Sequence, residues 1–117
     1  MATLNGQALG DDGAFVTFGR GQESCGEYLR AAEDERKARP ARPDPRTFYS
    51  TEYMRFATYA DGYLTGANEA QSSGVGQSTD LSGRMAWLES YCRQQPLDFF
   101  VIGLIKLRQH LFDRDSR

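Results

Sequence analysis

The 117 residues make one domain's length, 39% apolar and 12% aromatic, which is the composition of a globular chain and not a disordered one. A formal charge of −2 gives no general pull toward nucleic acid or an anionic membrane, so neither is expected as a partner. No apolar run of roughly 18 residues is present to span a bilayer.

The first residues, "MATLNGQALGDDG", lack the basic stretch followed by an apolar core that marks a secretory signal. They read either as the start of an intracellular protein or as a mature form with an added start. Residues 1–23 form an irregular N-terminal arm, rich in glycine (Gly6, Gly10, Gly13, Gly19, Gly21). Inside it "AFVTF" (Ala14 to Phe18) is β-prone, an edge strand or an apolar clip anchored by Phe15 and Phe18.

A single helical domain is expected over 24–113, with 114–117 a solvated tail. Its first helix opens at "SCGE", where Ser24 is the N-cap and Glu27 completes a capping box. Tyr28, Leu29, Ala31 and Ala32 supply a modest apolar face, while the consecutive Glu33, Asp34 and Glu35 read as a solvated one. The helix must stop before Pro40. "RPARPDP" holds three of the four prolines and makes a stiff connection. Five basic residues (Arg36, Lys37, Arg39, Arg42, Arg46) surround it, more economically read as a solvated loop than as a phosphate site.

A second helix begins near Ser50 or Thr51, with Glu52 well placed in its positive first turn. Tyr53, Phe56, Ala57, Ala60, Leu64 and Ala67 follow at helical spacing. The same helix carries Gly62 and Gly66, each costing about 1 kcal/mol against alanine. Two small residues four apart share a ridge and let another backbone approach, with Gly103 as a counterpart. Helix packing is therefore the first reading of all three, and a ligand cleft the second. Asp61, between apolar neighbours, is either a buried pH-sensitive acid or a half-exposed one flanking the core.

"SSGVGQS" breaks this helix, and a third starts at Thr79 or Asp80 with Leu81, Met85, Leu88 and Cys92 inward and Trp87 and Tyr91 flanking. "QQPLD" ends it, and Pro96 is suited to open the fourth helix. Phe100, Leu104, Leu107 and Leu111 form one face of that helix, widened by Phe99, Val101, Ile102 and Ile105. A helix so apolar reads as the buried centre of the bundle. The expected fold is all-α, a compact four-helix domain with an irregular arm.

Cys25 and Cys92 allow one pairing. A bridge would close a loop of about 67 residues and contribute roughly 4 kcal/mol, tying the weakly apolar first helix to the core. The alternatives are a reactive Cys25 at a helix N-terminus, a Cys–His pair with His110, or zinc. One histidine and two lone cysteines lack paired ligand spacing, so no metal is expected. No phosphate loop and no nucleophile elbow is present. The chain therefore reads as a non-enzyme without cofactor.

Together "SCGEYLRA", "YADGYLTGANEA" and "MAWLESYCRQQPLDFFVIGLIKL" resemble the small secreted helical proteins of HdeA-like type, over roughly residues 24 to 111. The shared pattern is a cysteine opening the first helix, an aromatic-G-Y-x-x-G helix, then a second cysteine, a proline turn and a final apolar helix. The group includes periplasmic acid-stress chaperones and the type VI secretion resistance-associated immunity proteins. The resemblance implies a periplasmic or secreted protein with a Cys25–Cys92 bridge that acts by binding protein, either a client or a cognate toxin. A homodimer through the second helix or the arm is compatible with a small bundle. If the thiols are free, the alternative is an intracellular phage- or plasmid-borne inhibitor.

Overall fold

The first three helices each start where a side chain is available to cap them. In the computed structural model, which describes residues 15–41 and 51–117, these are α1 (Cys25–Ala38), α2 (Glu52–Gln71) and α3 (Leu81–Gln94). Ser24, Thr51 and Asp80 accept the backbone N–H of Glu27, Met54 and Gly83 at 3.1, 3.2 and 2.7 Å. Each bond satisfies one of the N–H groups that a helix start leaves without an intrahelical partner. The fourth helix, α4 (Phe100–Asp115), follows Phe99 with no side-chain cap. Short 3-10 turns occupy Gly19–Gln22 and Arg39–Ala41. The domain is all-α, and its one β feature among the described residues is an isolated Ser24–Phe99 bridge.

The apolar stripes meet as their spacing requires. Phe56, Ala57, Ala60 and Leu64 of α2 are buried, as are Met85, Leu88 and Cys92 of α3. Tyr28 of α1, Phe56 of α2 and Phe100 of α4 form a triangle of rings with centroids 4.9 to 5.3 Å apart. The tilted and edge-on geometry suits the ring quadrupoles. The Tyr28 hydroxyl donates to the Met85 carbonyl at 2.8 Å, which lets a polar tip sit wholly inside. No helix among the described residues is long and apolar enough to cross a membrane.

Several details differ from expectation. In the arm, Phe15 and Phe18 face solvent and no strand forms; Thr17 is the buried residue. Its Oγ1 shares a 2.7 Å hydrogen bond with the Tyr59 hydroxyl, packed so closely over Gly21 that a Cβ there would overlap both oxygens. Pro96 does not open α4. It lies in the turn between α3 and α4, whose carbonyls serve α1 instead: Pro96 O accepts from Gly26 N at 3.0 Å and Asp98 O from Cys25 N at 2.7 Å. Glu35 is buried and pairs with Arg39 at 3.2 Å, so the acidic run is not uniformly solvated. α4 is buried on one side only, with Lys106, Gln109 and His110 exposed. It also runs through Asp115 into the expected tail, because Asp115 Oδ2 accepts the Gly76 N–H at 2.8 Å. Ala14, Pro43, Pro45, Arg42 and Arg46 lie outside the described residues.

Candidate functional site

Cys25 and Cys92 are joined, with an S–S distance of 2.08 Å and Cα atoms 4.9 Å apart. Both are fully buried. The bond pins the first turn of α1 to the last turn of α3, directly beside the turn whose two carbonyls cap α1. Cys92 and Pro96 thus belong to one staple: the cysteine holds α1 covalently while the turn four residues on receives its orphan N–H groups. The bridge leaves no thiol for a Cys25–His110 pair, and His110 instead lies exposed against Trp87, ring centroids 5.4 Å apart.

Gly62 and Gly66 do not pack against another helix. Both are exposed, and a Cβ at either would meet nothing within 4 Å. The expected ridge faces solvent. Gly103 does sit at a close contact, but toward α3: a Cβ there would lie 3.4 Å from Leu88 Cδ2 and 3.2 Å from Tyr91 Cδ2. Phase explains the misreading. At about 100° per residue, Gly62 and Gly66 fall roughly 160° and 120° around the helix from the centre of the Phe56–Ala60–Leu64 stripe.

Asp61 is half-exposed and pairs with Arg84 at 3.2 Å, the milder of its two expected roles. Among the described basic residues near the proline connection, Arg36 binds Glu33 and Glu89, and Arg39 binds Glu35. These pairings favour the solvated-loop reading over a phosphate site. Burial raises the Tyr28 hydroxyl far above the ordinary tyrosine range. Tyr91 moves the same way, by burial first and then by its 2.5 Å bond to Asp98, which ties α3 to the proline turn.

Among the described residues, large apolar side chains reach solvent at three places. Phe15, Val16 and Phe18 of the arm are 41, 52 and 74% exposed, Leu97 in the proline turn 92%, and Phe112 near the end of α4 52%. Single exposed apolar residues need no explanation, but three within four residues of an anchored arm make a presented segment. Sequence reasoning placed these arm aromatics inward because it had no means of seeing that Thr17 takes the buried position. Among the described residues no group of three or more His, Cys, Asp or Glu is placed to hold a metal.

No family model matches the chain, and no curated protein and no solved structure matches it either.

Proposed function

We propose that the protein is an exported, disulfide-stapled helical module that acts by binding another protein, of the immunity type within the HdeA-like group. The observation that carries this reading is the arm: Phe15, Val16 and Phe18 stand in solvent while Thr17 and Gly21 fix the segment to α2. A fixed segment with exposed aromatics is an anchor surface presented without prior opening, which suits tight binding at neutral pH. The buried Cys25–Cys92 bond supports an oxidising compartment.

Recovery from the native host at neutral pH tests this reading. The chain should capture one specific protein, and Phe15→Ser with Phe18→Ser should abolish capture while leaving helicity intact. Recovery of no specific partner by the unaltered chain would remove the immunity reading. Intact mass after alkylation without reduction tests the compartment. Two unmodified cysteines agree with export, and two alkylated ones would leave the intracellular inhibitor as the function.

Acid-stress chaperoning is the second reading, favoured by the carboxylates that link helices. Glu89 of α3 binds Arg36 of α1, Asp61 of α2 binds Arg84 of α3, and Glu52 of α2 binds Arg20 of the arm. Protonation removes these links, and 14 Lys and Arg with His110 then leave the chain near +15. Suppression of an unrelated client's aggregation near pH 2 is the expected result for that branch, and its absence would close it.

A further inference from the structure

A recess of about 330 Å³ is lined by residues of α3, of α4 and of the loop that joins α2 to α3. Its walls include Trp87, Leu107 and Leu111, with Arg84, His110 and Arg114 among them. That volume is enough for a molecule with one aromatic ring, at the small end of ordinary ligand sites.

The charges of this recess are arranged unequally. Arg84 is largely withdrawn from solvent, its side chain 17% exposed. One terminal nitrogen donates to Thr79 O and Oγ1 at 3.0 and 2.9 Å, and the other to Asp61 at 3.2 Å. Its Nε is buried and has no acceptor among the described residues. A buried guanidinium N–H without an acceptor costs free energy, and an oxygen in the recess recovers it when the side chain turns toward it. The carboxylates paired with Arg84 and Arg114, Asp61 and Asp115, both stand outside the recess lining. The one acid among its described lining residues, Asp80, is turned to capping α3 through Gly83 N. Positive charge therefore dominates beside an indole and two leucines.

We propose that this recess is a binding site for a small aryl carboxylate, its ring against Trp87, Leu107 and Leu111 and its carboxylate on the guanidinium groups of Arg84 and Arg114. The pairing of a planar acid with a guanidinium fork is the strongest polar contact these side chains offer. The proposal does not depend on the protein-binding reading, since the arm and the recess share no residue.

Trp87 is the single tryptophan of the chain and reports on the recess directly. Sodium benzoate titrated into the oxidised full chain should change its fluorescence saturably, and benzamide, of the same shape without the charge, should bind at least about tenfold more weakly. Arg84→Lys keeps the charge but lacks Nε, and should weaken benzoate binding by about tenfold with helicity retained. Where that variant does not fold, Arg114→Gln carries the test, with a loss of roughly threefold expected. A fluorescence change that does not saturate, equal binding of benzamide, or undiminished benzoate affinity in the folded variants would overturn the proposal.

Discussion

The two ends of the bundle are held by different means. Where α3 ends and α1 and α4 begin, the Cys25–Cys92 bond, the ring triangle around Phe100 and two backbone carbonyls lock α1 in place. At the other end, the loop between α2 and α3 packs Val75 against the core but is otherwise held by hydrogen bonds, many of them from polar side chains. Asn68 donates to Val75 O at 3.0 Å and accepts from Val75 N, Ser73 Oγ and Arg108, while Asp115 receives Gly76 N. Covalent and apolar fastening survives changes in salt and pH, whereas a hydrogen-bonded clamp depends on each partner. The loop end should therefore open first, with its amides exchanging ahead of those at the start of α1.

Removing the staple is the strongest way to break this contrast. The bond closes 67 residues, and Cys25→Ala with Cys92→Ala should cost about 4 kcal/mol in urea unfolding. A loss near zero would mean that the capping carbonyls and the rings hold α1 alone. At the opposite end, Asn68→Ala should cost about 2 kcal/mol, because it strips two hydrogen bonds from Val75 and one acceptor from Arg108. That loss should appear as earlier exchange in the loop while the start of α1 keeps its protection. Uniform loss of protection across both ends would show that they form a single cooperative unit.

Tyr28 sharpens the comparison through pH. Its hydroxyl, buried and bonded to Met85 O, ionises far less readily folded than unfolded. A folded pKa above the unfolded one means that the stabilisation is complete below the unfolded value near 10 and is lost as pH rises beyond it. The loss should be about 1.4 kcal/mol per pH unit above 10. Tyr28→Phe should reduce this alkaline slope, to which Tyr91 adds with the same sign, and an unchanged slope would assign it wholly to other groups.

The helices and their inner faces were legible because capping residues and apolar periodicity are local signals. Ser24 marked one start, and the pairs Ser50/Thr51 and Thr79/Asp80 marked two more, of which Thr51 and Asp80 are the caps; the α2 and α3 stripes are the buried ones. What escaped was tertiary in origin. Nothing local in "EDE" distinguishes Glu35, which packs inward beside Arg39, from its two neighbours. Nothing in "QQPLD" says that its carbonyls will serve a helix some seventy residues earlier in the chain. The arm inverted for the same reason, since burying Thr17 against Tyr59 turns Phe15 and Phe18 outward.

Gly62 and Gly66 were a different kind of error, because the signal to place them was present in their phase against the apolar stripe. Their exposure has a testable consequence. In a helix interior with nothing near the added methyl, glycine to alanine removes unfolded-chain entropy and introduces no clash. Gly62→Ala and Gly66→Ala should each stabilise the isolated chain by up to about 1 kcal/mol, the smallest effect considered and the only one with a favourable sign. By contrast, Gly103→Ala should destabilise, since its methyl would press on Tyr91 at 3.2 Å. If the α2 substitutions destabilise instead, another chain must approach that face in solution, and the loss should then grow with protein concentration. A stabilisation independent of concentration would leave the two glycines without a packing role in this domain.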